Sequence, residues 1–282
     1  MIHPLLKNID TLNFSNPQQV REFGSLYLNY ANLLGWGIGE NIPAADRSAM
    51  VSIGKKLVKN LDAAFKESSP AYCLSAYDTY DWAYRISYDT PPFADFTSGI
   101  VSRALDACIL GDKEIDIYEL YRLIDLGLMF NPELYKGKPI QWKTLMLSSW
   151  YDEFQTGNCS DSREYKDLSD KDLLNRVSIL LNADLCAVQP DSKTFKASLF
   201  ASNIHYVDNL MSGVNNYDVD TLMALNNFVN ASWPAHITEE EKDAYSDAVW
   251  SAVYSKTDSP YLQASIATMK QAENKAAETL KA

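Results

Sequence analysis

Asp78, Asp81, Arg85 and Asp89 are spaced three, four and four residues apart, so on a helix their side chains share one narrow strip. Tyr77, Tyr80, Tyr84 and Tyr88 form a second stripe beside it, and Trp82 and Ile86 close the far side. Carboxylates in such a strip can transfer protons or hold a cation, and the flanking rings can stack on a sugar or another flat ligand. Tyr77, Asp78, Asp81, Trp82, Arg85 and Tyr88 are therefore the candidate ligand-binding residues. The same pattern has an ordinary reading, in which the aromatics are core and the strip is the solvated edge of a largely buried helix. Ligand binding requires the strip to lie in a concavity. The ordinary reading requires it to be exposed or tied up in ion pairs.

No other segment adds a specific chemical motif. The chain has three histidines, His3, His205 and His236, and four cysteines, Cys73, Cys108, Cys159 and Cys186, without a C-x-x-C pair. A zinc site or a histidine-dependent nucleophile has almost no material to use, so no metal, cofactor or catalytic set is assigned. Asp78-x-x-Asp81 lacks the D-D-x-x-D pattern of the all-α isoprenoid synthases, and no second acidic helix motif faces it. Gly35-Trp36-Gly37-Ile38-Gly39-Glu40 follows a helical pattern instead of a strand, which makes it a helix stop and not a dinucleotide loop. Trp150-Tyr151-Asp152-Glu153-Phe154 repeats the aromatic and acidic theme.

Charge carries the second functional signal. The chain has a formal net charge of −12, and residues 151–250 hold 17 acidic and 7 basic side chains. From Ala197 through Glu241 there is no Lys or Arg. Such a surface repels a phosphate backbone and attracts a basic protein. Glu239, Glu240 and Glu241 are the candidate partner-binding residues, and nucleic acid is excluded as a partner. The ordinary use of the same acidity is solubility.

The elements that must position these residues announce themselves by their ends. Asn16-Pro17, Ser69-Pro70 and Ser259-Pro260 place a capping side chain before a proline whose missing N–H costs nothing in the first turn. Thr238 to Glu241 reads as a capping box and Ser169 to Asp172 as its shorter relative. Gly35, Gly111, Gly157 and Gly213 follow apolar-periodic segments, where a residue free to adopt positive φ can close a helix. Met50, Ile53, Leu57, Leu61 and Ala64 fall on one helical face, as do Leu173, Leu174, Val177, Leu180 and Leu181. Leu262, Ile266, Met269, Ala272, Ala276 and Leu280 do the same.

These signals predict an all-α chain with helices near 16–34, 44–66, 70–88, 94–110, 115–128, 139–156, 169–187, 192–212, 218–232, 238–255 and 260–280. About eleven helices with short connections imply an antiparallel helical bundle or helical-hairpin array. The chain is read as a single domain over 1–282, with a subdivision into 1–156 and 168–282 as the alternative, because Thr156 to Asp167 loses the apolar pattern. No run approaches the roughly 18 apolar residues of a membrane span, and the thiols are unpaired in pattern, so a cytoplasmic protein is expected. Two functions remain open. One is an interaction protein, an adaptor or inhibitor, whose acidic C-terminal half docks a basic partner. The other is an enzyme or small-ligand binder, with carbohydrate as one ligand class, centred on the aromatic-acidic helix 72–89.

Overall fold

The computed structural model describes residues 2–36, 42–68, 70–89, 169–182, 211–231 and 238–281. Among them the chain is helical and contains no strand, which makes it all-α. Eight α-helices occur among these residues, against about eleven expected over the whole chain: α1 (Pro4–Lys7), α2 (Pro17–Leu33), α3 (Ala44–Glu67), α4 (Pro70–Tyr88), α5 (Asp170–Asn182), α6 (Val219–Val229), α7 (Glu239–Lys256) and α8 (Pro260–Lys281). The helices expected at 94–110, 115–128 and 139–156, most of 192–212, and Trp150 to Phe154 lie outside the described residues, as do Gly111, Gly157, Cys108, Cys159, Cys186, His205 and His236. The chain divides into two compact units: Met1–Tyr135 with Asp258–Ala282, and Lys136–Thr257.

In the first unit the termini of α2 follow from single side chains. Asn16 accepts from the Gln19 N–H at 3.1 Å, and Pro17 occupies the first helical position. At the other end Gly35 takes φ 86°, its N–H reaches the Asn32 carbonyl, and the Trp36 N–H reaches the Ala31 carbonyl, both at 2.9 Å. That pair of bonds is the Schellman closure, and only a residue without Cβ enters it at no steric cost. Gly213 behaves differently from the expected positive-φ stop: it sits at φ −109° before a 3₁₀ turn, Val214–Asn216. The short α1 is capped by His3, whose Nδ1 accepts from the Leu5 N–H, and Pro4 starts the helix.

α4 packs against both α2 and α3, and α8 packs against α2. The predicted α3 face is real: Met50, Ile53, Leu57 and Leu61 are buried, joined by Val58 and Phe65, with Ala64 only half-buried. Two mid-helix glycines explain how the helices come so close. A Cβ on Gly24 would lie 2.0 Å from Thr79 Oγ1 and 2.6 Å from Thr79 Cβ, and one on Gly54 would lie 2.1 Å from Ser87 Oγ and 2.5 Å from the Tyr27 hydroxyl. Mid-helix glycine costs up to about 1 kcal/mol relative to alanine in propensity, and close packing of α2 on α4 offsets it. Gly24→Ala should therefore destabilise the protein by about 1–3 kcal/mol despite the better helix former, because the Thr79 Cβ cannot rotate away. Equilibrium urea unfolding measures this, and a neutral or stabilising result would refute the close α2–α4 approach.

The α2–α8 contact is partly polar. Phe23 and Tyr261 meet edge to face at 5.4 Å, while the Ser25 and Ser265 hydroxyls lie 2.7 Å apart and Asn29 donates to Ser265 Oγ at 2.9 Å. Ser259 donates to the buried Glu22 carboxylate at 2.6 Å and also caps α8 by accepting from the Leu262 N–H. The α8 apolar stripe is buried at Leu262 and Ile266, half-buried at Met269 and Ala272, and exposed at Ala276.

In the second unit α6 packs against both α5 and α7. Leu174 and Val177 of α5 are buried, as are Leu222, Leu225, Phe228 and Val229 of α6 and Val249, Ala252 and Val253 of α7. The side chains of Leu173, Leu180 and Leu181 lie outside the described set. Each helix starts on a capping side chain: Ser169 Oγ accepts from the Asp172 N–H, Asp218 from the Thr221 N–H, and Thr238 Oγ1 from the Glu241 N–H.

Candidate functional site

The aromatic stripe of α4 is assembled by α3. Phe65 stands edge-on to Tyr72 and to Tyr80, with ring centroids 6.1 and 5.5 Å apart, and the series continues through Tyr84 to Tyr88 at 5.9 and 4.7 Å. Tyr77 and Tyr80 are buried, whereas Tyr88 is 44 % exposed with the Lys55 ammonium 5.6 Å from its ring centroid. Tyr80 donates to Asp62 Oδ1 at 2.9 Å, and Tyr72 donates to the Phe14 carbonyl.

Burial, reinforced by the neighbouring Asp62, pushes the Tyr80 phenol well above its ordinary value. Burial also pushes Tyr72 up to about 12 and raises Tyr27, whose hydroxyl donates to the Met50 carbonyl. These phenols stay protonated at neutral pH. They are hydrogen-bond donors that fasten α4 to its neighbours, not bases.

Asp78 and Asp81 are half-buried on the opposite edge, and Arg85 is exposed. Arg85 Nε donates to both oxygens of Asp81 at 2.9 and 2.8 Å, a pairing that raises the guanidinium pKa further. Trp82 is half-buried beside them. The six α4 candidates therefore separate by environment: Tyr77 belongs to the core, Asp81 and Arg85 form an i,i+4 ion pair, and Tyr88 reaches solvent. Among the described residues no three His, Cys, Asp or Glu side chains converge as a metal site would require.

Among the described residues of the second unit, the acidic side chains concentrate at helix starts. Asp170 and Asp172 lie in the first turn of α5, Asp218 caps α6 with Asp220 in its first turn, and Glu239, Glu240 and Glu241 open α7. Carboxylates there meet free backbone N–H groups and the positive end of the helix dipole, which gives these seven a local structural role. The three α7 glutamates differ in role. Glu241 completes the capping box through the Thr238 N–H at 2.9 Å, Glu239 lies 3.7 Å from Lys242, and Glu240 points to solvent.

No protein-family model matches the chain, and no curated protein or solved structure matches it. Among the described residues an exposed acidic line runs along α7 from Glu240 in its first turn through Asp243 and Asp247 to Tyr254. Tyr254 is 46 % exposed, and the residues α7 buries all lie in its C-terminal half. Asp243, Asp247 and Tyr254 are not among the residues singled out by sequence. The available signal was their spacing of four and seven residues on the face opposite Val249 and Ala252.

Hydrogen bonding from the Thr221 backbone and side chain holds the Asp218 carboxyl below its ordinary 3.8. The Thr238 backbone and side chain do the same for Glu241. A folded-state pKa below the unfolded value contributes stability above the unfolded pKa that is lost as pH falls through the folded one. Replacing Asp218 by Asn, an equally good cap, should leave neutral-pH stability nearly unchanged and flatten the acid limb of the stability profile. Asp218→Ala should cost about 0.5–2 kcal/mol at neutral pH, with the difference from wild type shrinking as the pH drops below 3.8. Unfolding midpoints measured across the acid range test both expectations, and an undiminished difference in acid would refute the linkage.

Proposed function

We propose that this chain is a cytosolic all-α interaction protein of about eleven helices, an adaptor or inhibitor, that docks a basic protein on the outer face of α7. One observation carries the reading: Glu240, Asp243, Asp247 and Tyr254 are exposed in a single line on a helix whose buried residues lie on another side. Carboxylates steer a cationic surface, and a terminal tyrosine gives it an apolar anchor. The rival centre on α4 offers less, since its tyrosines are largely packed on α3 and its Asp81 is paired with Arg85. Among the described residues no helix is long and apolar enough to cross a membrane.

The ligand-binding alternative keeps one observation in its favour, the exposed Tyr88 ring beside Tyr84 and Lys55. Titration with oligosaccharides, read by tyrosine fluorescence and repeated on Tyr88→Ala, tests it. A saturable response abolished by that substitution supports a sugar site there.

For the docking reading, partners are captured from native lysate at low and high salt, and their association kinetics are then measured. Changing Glu240→Gln, Asp243→Asn and Asp247→Asn together should slow association by about ten-fold and leave dissociation within about two-fold, since exposed charges act chiefly on the encounter. These positions are preferable to Glu241, whose carboxylate caps the helix. Partners retained regardless of both salt and the triple change would refute docking through this face.

A further inference from the structure

We infer that the acidic face of α7 docks on the lysine face of α3 in a second copy of this chain; the inference rests on the reading of α7 as a docking face. On α7 the exposed Asp243, Asp247 and Tyr254 follow Glu240 by three, seven and fourteen residues. On α3 the exposed Lys55, Lys59 and Lys66 follow the exposed Ser52 by the same three, seven and fourteen residues. Those offsets keep each set on one line of its helix, as in a heptad seam.

Laid parallel in register, Asp243 meets Lys55, Asp247 meets Lys59, and the Tyr254 ring meets the Lys66 ammonium. At the first position the Ser52 hydroxyl donates to Glu240. Asp62 falls on the α3 seam between Lys59 and Lys66, yet its carboxylate is half-buried and accepts from Tyr80 at 2.9 Å. Lys56, beside the seam, is bound to Asp10 at 2.8 Å, and Lys55, which lies 5.6 Å from the Tyr88 ring centroid, turns from that ring to meet Asp243 and joins Lys59 and Lys66 as the docking cations.

The two helices are opposite in charge as well as matched in spacing. α3 carries five basic and three acidic side chains, whereas α7 carries two basic and five acidic ones. In a chain of net charge −12 a lysine-rich helix face is a scarce surface, and a second copy supplies it at the concentration of the protein itself. Association therefore grows with protein concentration, as a reciprocal pair or a longer assembly. Because the charges are exposed, affinity is modest and screened by salt.

Sedimentation velocity of the full chain over a concentration series tests this directly. At low ionic strength the weight-average mass should rise with concentration, and at high ionic strength the rise should vanish. Reversing the lysine face (Lys55→Glu, Lys59→Glu and Lys66→Glu) or the acidic face (Glu240→Lys, Asp243→Lys and Asp247→Lys) should weaken self-association by at least about ten-fold. Mixing the two reversed proteins in equal amounts should restore it in alternating copies. If a reversed protein loses helix by circular dichroism, Lys55→Gln with Lys59→Gln gives the same readout more gently.

A monomer at every concentration in low salt would overturn the inference, as would association indifferent to both reversals or a mixture that fails to associate. A chain that stays monomeric but binds a lysine-rich peptide, with binding lost in the acidic-face reversal, overturns only the second copy as partner and leaves α7 as a docking face. Absence of both interactions would overturn the two readings together.

Discussion

Phe65→Ala should destabilise the protein by on the order of 3–5 kcal/mol. Phe65 is 2 % exposed and lies edge-on to both Tyr72 and Tyr80. Truncation removes the burial of a full ring and leaves a cavity lined by two tyrosines that are fixed at their hydroxyl ends, Tyr80 by Asp62 and Tyr72 by the Phe14 carbonyl. With their polar ends held, the rings cannot collapse into the space, which places the cost in the upper part of the usual range. Phe65→Leu keeps most of the volume and should cost less than half as much. Equilibrium urea unfolding separates the two variants, and a loss below about 0.5 kcal/mol for Phe65→Ala would show that the ring is not core.

The same cluster shows where sequence reading succeeds and where it stops. Helix ends were legible because their chemistry is local: Asn16, Ser169, Thr238 and Ser259 each bond a backbone N–H three residues on. The stripe of Tyr77, Tyr80, Tyr84 and Tyr88 was equally legible as a stripe. What stands opposite it was not, because Phe65 and Asp62 belong to another helix and no local signal reports their arrival. Gly24 and Gly54 make the same point, since a mid-helix glycine reads as a weakness until Thr79 and Ser87 are seen against it.

The candidate surface on α7 was only half legible. A run of three glutamates draws attention, but two of them have local partners, Glu241 in the capping box and Glu239 beside Lys242. Total charge could not distinguish carboxylates that serve helix ends from those that face solvent. That distinction needs the direction of the core, which Val249, Ala252 and Val253 set.

Leu174→Ala should cost on the order of 2–5 kcal/mol and tests the core of the second unit. Leu174 and Val177 are each 1 % exposed, and α5 packs against α6, whose Leu222, Leu225 and Phe228 are likewise buried. The buried Ser178 on α5 does not weaken this core, because its hydroxyl donates to the Leu174 carbonyl at 2.6 Å. Truncating Leu174 leaves that backbone bond in place, so the loss reads apolar contact and cavity alone. Asp243→Asn, on the outer face of α7, should stay within about 0.5 kcal/mol of wild type. Amide hydrogen exchange adds the location: in Leu174→Ala, protection should fall along α6 by the amount the unfolding experiment measures, whereas Asp243→Asn should leave it unchanged. Equal, small effects from both substitutions would mean that α5 and α6 do not share a core.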